Sequence, residues 1–293
     1  MTPEEMLSRV LYRDGLMLVI DKPAGQAVHP GPKGGPSLLD YFDALRFGLP
    51  RAPGLAHRLD RDTSGCLVLG RHRKALAHLG ALFRHGRVRK AYWAVVEGGP
   101  EADEGRIDLR LGRLDVTRGW WMKPDPQGQP AVTTWRVLGR FSPLPTCGER
   151  STADAERRRS GEGDSQNAAT VENPPHPPSL REGDLSPQAG RGKARTWLLL
   201  EPLTGRTHQL RVHCAAMGWP VVGDAVYGTA PRTDEPPLHL HAREVVVPIN
   251  AKREPVRVVA PVPAHMRAAL TACGWRGEAA AAEPAPALST AAP

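Results

Sequence analysis

Apolar residues come along this chain in short blocks, and the spacing inside each block predicts its element. Residues 10–12 and 16–20 read as two strands around an Arg13-Asp14-Gly15 turn. Asp21-Lys22-Pro23-Ala24-Gly25 stops the second strand, because proline donates no ladder hydrogen bond and glycine allows the turn. Residues 66–69 are a continuous apolar run of the kind a buried strand shows. Leu76, Leu79, Leu82 and Phe83 then recur at helical spacing, up to a stop at Gly86. Residues 92–96 form a further strand, closed by Gly98-Gly99-Pro100. Residues 131–141 and 196–203 are both strand-like. From Arg206 to Met217, the apolar positions Leu210, Cys214 and Met217 predict a helix with one buried stripe, and Gly218 fits just past its end. Residues 238–247 read as a last strand before Pro248. Short strands separated by single helices predict an α+β domain.

Between two of these strands the pattern fails. Residues 142–194 hold no Phe, Trp or Tyr and are rich in Pro, Gly, Ser, Glu and Arg. Such a segment cannot bury enough apolar area to offset its ordering entropy, so it is expected to be disordered. Its place between strands makes it an insertion, which leaves residues 8–141 and 195–275 as one discontinuous domain. The tail, 276–293, is rich in Ala and Pro and is also expected to be disordered.

Composition narrows the class. The chain has 293 residues, with 39 Lys+Arg against 31 Asp+Glu, so 39 − 31 = +8. A basic excess of this size favours a polyanionic partner, although a merely soluble basic protein has the same balance. The apolar runs are far shorter than the roughly 20 residues a membrane span needs. No secretory signal is readable behind the acidic start Met1-Thr-Pro-Glu-Glu. The four cysteines, Cys66, Cys147, Cys214 and Cys273, form no CxxC pair, which argues against a disulfide framework or a cysteine zinc site. A reducing cytoplasm is the simplest compartment.

Three clusters could carry chemistry. His57-Arg58-Leu59-Asp60-Arg61-Asp62-Thr63-Ser64-Gly65 packs two carboxylates and two guanidinium groups at the mouth of an apolar strand. Its ordinary reading is a capped turn, since Asp, Thr and Ser are turn residues. Thr204-Gly205-Arg206-Thr207-His208-Gln209-Leu210-Arg211 gathers positive side chains at a predicted helix start, where an anion or a carboxylate is the natural partner. His208 and His213 stand five apart rather than the four of a zinc-binding HExxH helix. His239 and His241 share one face of a predicted strand, an arrangement that is more often structural than metal-binding. Lys90 and Tyr92 point to one strand face, a weak signal by itself.

Taken in order, these segments resemble the RluA-type pseudouridine synthases. The segment from His57 to Gly65 is similar to that family's signature around its catalytic aspartate. Asp21-Lys22-Pro23-Ala24-Gly25 with Val28-His29-Pro30-Gly31 is similar to its N-terminal strand and turn. Residues 90–98 are similar to its tyrosine strand. Residues 203–213, followed by Gly223-Asp224 and Tyr227-Gly228, are similar to its third motif, and Leu240-His241-Ala242 to its closing strand. The match runs from about residue 10 to 265, outside the insertion.

The resemblance implies a mixed, mostly antiparallel central sheet flanked by helices, with a catalytic cleft. It implies isomerisation of specific uridines in folded RNA, ribosomal RNA before transfer RNA. No redox step or group transfer is involved, so neither cofactor nor metal is expected. Asp60 would be the catalytic residue, and Asp62 is not promoted. Tyr92 would lie against the uracil and accept or relay the proton lost from C5. Arg211 would pair with Asp60, holding it ionised and aimed. Arg58 would fill the gap left by the flipped nucleotide, and Leu59, Thr63, Lys90, Arg206, His208 and Gln209 would line the substrate. No S4 domain, obligate protein partner or membrane attachment is expected, and a monomer is the default. Two other classes compete: a non-catalytic RNA-binding relative, which would have lost Asp60, and a glycoside hydrolase using Asp60 and Asp62 as a strand-spaced carboxylate pair.

Overall fold

Every residue of Ser64–Gly70 is buried, as a strand covered on both faces requires. The structure, a computed structural model, describes residues 1–31, 34–115, 121–143, 193–231, 236–250 and 252–278. Its first half carries helix α1 (Pro3–Ser8), strands β1 (Val10–Arg13) and β2 (Met17–Lys22), a 3-10 segment (Leu38–Leu45), β3 (Gly54–Leu55), β4 (Ser64–Gly70) and α2 (Arg73–Arg84). Then come β5 (Arg89–Glu97), β6 (Glu104–Asp108), β7 (Leu111–Arg113), β8 (Met122–Pro124) and β9 (Val132–Phe141). The remainder holds β10 (Arg195–Pro202), α3 (Gln209–Ala216), β11 (Leu240–Val247), β12 (Val256–Val259) and α4 (Ala264–Ala272).

Ten strands form one sheet in the order β1-β2-β4-β11-β5-β10-β9-β6, with β12 added on β11 and β3 on β4. The pairings are antiparallel apart from β4 with β11, so the sheet is mixed and mostly antiparallel. Where these two parallel strands meet, Gly65 has φ 103° and a Cβ on it would overlap the Ala242 carbonyl. Only glycine fits both demands.

Alternation along the central strands sorts the core into two layers. Ala94 and Val96 of β5 pack with Leu198, Leu200 and Leu240 beneath Leu210 and Cys214 of α3. Trp93 and Val95 point the other way, to Met266, Ala269 and Leu270 of α4. β2 and β4 divide likewise: Leu18, Ile20, Leu67 and Leu69 meet Phe42 of the 3-10 segment, while Met17, Val19, Cys66 and Val68 meet Leu79 of α2. Helical elements thus flank both faces. No described helix is long and apolar enough to cross a membrane.

Three expectations are corrected. The helix expected from Arg206 starts at Gln209, because His208 takes a left-handed conformation with φ 52° that no α-helix continues through. Met217, expected in its buried stripe, is 47% exposed, because it lies past the helix end, where Gly218 turns the chain with φ 84°. The tail expected to be disordered from 276 is placed as far as Glu278, which accepts hydrogen bonds from Arg243 and the Val262 amide. Beyond that, the expectations of disorder fall on 144–192 and 279–293, outside the described residues. What is described is the entry to the insertion: Phe141 and Arg195 are register partners at the ends of β9 and β10.

Candidate active site

The segment between β3 and β4 leaves the sheet through a side-chain substitution. Main-chain pairing of β3 with β4 runs through Gly54 and Leu55, and the Ala56 amide still bonds the Val68 carbonyl. The Val68 amide then donates to His57 Nε2 at 3.0 Å, so an imidazole takes the place of a strand carbonyl. Stacking on Phe83, with ring centres 4.3 Å apart, fixes the ring. Burial, and secondarily the charge of Lys90, pushes the His57 pKa down to about 3, so it stays an acceptor. The backbone is thereby released into a loop carrying Arg58, Leu59 and Asp60, closed by the Thr63 amide donating to the Asp60 carbonyl at 3.2 Å.

Lys22 anchors this loop from below. Its side chain is wholly buried, and Nζ donates to the carbonyls of Pro23 and Arg61, both at 2.7 Å. Burial drives its pKa down to about 7, against the nearby charges of Asp62 and Asp60, which favour the ammonium. Leu59 is also buried, packing with Phe42 and Leu67, so it serves as a hydrophobic peg as well as wall.

The Asp60 side chain, 19% exposed, stands in a partition between two cavities. One, of about 590 Å³, also holds Tyr92, Lys90, Arg58, Arg84 and Arg206. The other, of about 1260 Å³, is lined by Lys22, His29, Asp62 and His265 among others. Arg58, Leu59, His208 and Arg211 border both. The smaller cavity has the size of a small-ligand site, and its cationic rim suits phosphates. Burial, with Asp60 and Cys66 adding to it, raises the Tyr92 pKa, so the phenol keeps its proton. Burial alone lowers that of Lys90. Thr63 is 2% exposed, lines this cavity and has no hydrogen-bond partner for its buried Oγ1 among the described residues.

Arg211 does not bond Asp60. Its Nε and Nη2 donate to Oδ2 and Oδ1 of Asp224 at 2.8 and 2.7 Å, and the guanidinium lies over the Tyr227 ring at 5.2 Å. Asp224 is itself held by the amides of Val226 and Tyr227, at 2.9 and 3.0 Å. Burial raises its pKa, but the hydrogen bonds and charge of Arg211 and those two amides outweigh this and leave it below the usual value. Asp224 presents both oxygens to the guanidinium in the two-pronged geometry that makes such pairs strong. Arg211 still acts on Asp60 through its charge. The basic side chain beside Asp60 is His208, whose Nε2 lies 3.9 Å from Oδ1.

Gln209 is a brace rather than a substrate ligand. Its Oε1 accepts from the Thr204 hydroxyl and the Arg206 amide at 2.7 and 3.0 Å, and its Nε2 donates to the Val132 carbonyl and Thr133 Oγ1 at 2.9 and 3.0 Å. That uses the whole capacity of an amide side chain. Arg206 is exposed on the cavity rim, with Nε on the Pro130 carbonyl at 3.1 Å. His213 is tied to Thr133 and the Leu109 carbonyl, and His241 to Ser64 and the Ala260 carbonyl. The carboxylate pair of a glycoside hydrolase does not form: Asp60 and Asp62 lie in a loop, not at alternate strand positions, and Asp62 is bound by Arg61 at 3.0 Å. Sequence reasoning gave no role to Asp224, Tyr227 or Lys22, although all three lie in the segments that carried the resemblance.

A carboxylate set in the wall of a nucleotide-sized cavity under a cationic rim defines an enzyme that works on a polyanion. Comparison with known proteins says which. Residues 16–216 match the family described as RNA pseudouridylate synthase. An uncharacterized RNA pseudouridine synthase of Zymomonas mobilis is 34% identical over 88% of this chain and 95% of its own length. The ribosomal large subunit pseudouridine synthase C of Vibrio cholerae is 31% identical over 89% of this chain and 68% of its own. Among solved structures, Human RNA Pseudouridylate Synthase Domain Containing 1 shares 28% identity and a TM-score of 0.60, covering 90% of this chain and 86% of that one. Human RNA Pseudouridylate Synthase Domain Containing 4 has a TM-score of 0.63 at 22% identity, over 92% and 95%, a likeness of fold. The chain belongs to the RluA-type RNA pseudouridine synthases, isomerases of uridine in RNA.

Proposed function

We propose that this chain isomerises a uridine of large-subunit ribosomal RNA, with Asp60 as its catalytic carboxylate. The observation that carries this reading is Asp60 standing in the wall of the 590 Å³ cavity that also contains Tyr92 and the basic side chains. The ribosomal substrate is supported by the name of the Vibrio cholerae relative, a ribosomal large subunit pseudouridine synthase.

The reaction breaks the C1′–N1 bond, turns the base and joins C1′ to C5. Substrate and product are isomers, since the hydrogen lost from C5 is balanced by the one gained at N1. The target nucleotide must leave its stack, at a cost of a few kcal/mol, which favours loops and bulges of folded RNA. Arg84, Lys90 and Arg206 meet the phosphates around it, and Arg58 fills the gap it leaves in the stack. Attack at the sugar, addition to the base and a glycal-like route all need a carboxylate at this point, acting as nucleophile or base. Tyr92, protonated in the resting site, relays the C5 proton rather than waiting as a phenolate. The chain acts as a monomer in the cytoplasm, and the buried free thiols Cys66, Cys214 and Cys273 suit that reducing setting.

The test is purified protein on transcripts of large-subunit ribosomal RNA and of transfer RNA, with pseudouridine mapped at each position. We expect modification of the ribosomal transcript, abolished by Asp60→Ala while RNA affinity stays within about two-fold. Modification of transfer RNA alone would overturn the substrate, and an active Asp60→Ala would overturn the catalytic assignment.

A further inference from the structure

The hydrogen bonds around His208 run in one direction. The Met122 amide donates to the Tyr227 hydroxyl oxygen at 3.0 Å. The same oxygen lies 2.8 Å from His208 Nδ1. The Met122 amide fills one acceptor position of that oxygen, and Nδ1, at 2.8 Å, is the ring atom placed to take the one proton the phenol has to give. Nδ1 is then the acceptor, and the ring proton sits on Nε2. Nε2 is the nitrogen that faces Asp60 Oδ1, 3.9 Å away. The ring has little freedom: its residue is held at φ 52° and ψ 18° ahead of α3, the side chain is 9% exposed, and the Tyr227 ring meets it edge-on.

We infer that His208 is a positioning residue for Asp60: a neutral imidazole, locked by Tyr227 with its proton on Nε2, that aims the reacting carboxylate by donating to it. The inference rests on the reading of Asp60 as the catalytic group. The gap exceeds a hydrogen bond by about 1 Å. Catalytic hydrogen bonds commonly close by that much when substrate binds. The groups around the ring balance. Burial is the largest influence and disfavours its charged form; Asp60 and Asp224 favour it, and Arg211 and Arg58 oppose it, with Tyr227 uncharged beside it. The result lies below the ordinary histidine value, so the ring is neutral at pH 7. Protonation would place a donor on Nδ1 and reverse the bond to Tyr227, so the arrangement works in the neutral form.

Amide side chains separate this role from a merely structural one. A glutamine Nε2 sits the same number of bonds from Cβ as histidine Nε2, whereas an asparagine amide matches Nδ1. His208→Asn suits the left-handed backbone best but withdraws the donor from Asp60. We expect kcat on the modified RNA to fall about ten- to a hundred-fold, with KM within about two-fold. His208→Gln should recover most of that loss. Independently of RNA, nitrogen NMR of the labelled full chain should show His208 protonated on Nε2 and accepting on Nδ1, and Tyr227→Phe should mix the two tautomers. Wild-type kcat in His208→Asn, or a proton on Nδ1 in the wild type, overturns the inference. An active Asp60→Ala brings down the reading of Asp60 together with the inference; an inactive one beside a fully active His208→Asn removes His208 alone.

Discussion

Replacing Asp224 by asparagine keeps the size of the side chain and removes its charge. One amide oxygen can still accept from Val226 and Tyr227, but the new NH2 group then faces a guanidinium that has only donors. Arg211 is 4% exposed, so its charge is left buried with no carboxylate in contact. Breaking one side of such a pair costs about 3–5 kcal/mol. Domains of this size lose about 2–4 °C of Tm per kcal/mol, so Asp224→Asn should melt about 10 °C below wild type in a calorimetric or fluorescence scan. The sign with pH follows from the lowered carboxylate: its contribution is present above the unfolded value, 3.8, and is lost as pH falls through the folded value. The deficit of the variant should therefore be full at pH 6 to 8 and shrink in acid. The double variant Arg211→Met with Asp224→Leu should regain stability without regaining activity, because apolar packing can replace a buried pair but not its charge beside Asp60. A melting point within about 2 °C of wild type for Asp224→Asn would refute this account of how Arg211 is held.

Two further outcomes follow from features of the fold. Lys22 has its pKa lowered from 10.5 to about 7, a difference of about 5 kcal/mol in favour of the uncharged amine. Between those values the unfolded chain binds more protons, so this residue makes stability rise with pH, by up to about 1.4 kcal/mol per pH unit. Denaturant midpoints taken from pH 7 to 9.5 should show that slope as the difference between wild type and Lys22→Met; parallel curves would contradict it. Replacing residues 142–194 with Asn-Gly should leave Tm within about 3 °C, because Phe141 and Arg195 are register partners that a two-residue hairpin can join. A drop of about 10 °C would mean that the removed segment stabilises the fold.

The parts of the molecule that were legible in the sequence are those where local pattern and burial agree. Residues 17–20 and 66–69 are apolar throughout because β2 and β4 are covered on both faces, so composition alone marks them. The loop from His57 to Gly65 was legible through its resemblance to a family signature, since its residue types alone fit a capped turn equally well. What was not legible depends on partners distant in sequence or on a single backbone angle. The Arg211–Asp224 pair spans 13 positions across a turn, and nothing in either segment alone declares which carboxylate the guanidinium takes. The burial of Lys22 follows from the Arg61 carbonyl, 39 residues away. Arg206 and His208 carry no breaker signal, so the left-handed turn at His208 is invisible to periodicity and the helix start was expected three residues early. Gln209 looked like a ligand because a polar side chain beside a basic cluster does; only its four filled hydrogen-bonding positions show otherwise.

The parallel pairing of β4 with β11 also sets an order of events in the cell. Asp60 is held at the head of β4, and β4, paired early with β2 and β3, gains its parallel neighbour only when His241 reaches Ser64, whose side chains lie 177 residues apart in sequence and 2.9 Å apart in space. At elongation speeds of about 5–20 residues per second, that interval is roughly 10–35 s of synthesis. Throughout it the aspartate has been made but its platform has not. A nascent chain therefore carries the aspartate long before it carries the finished site, which is completed late, as the closing strand emerges.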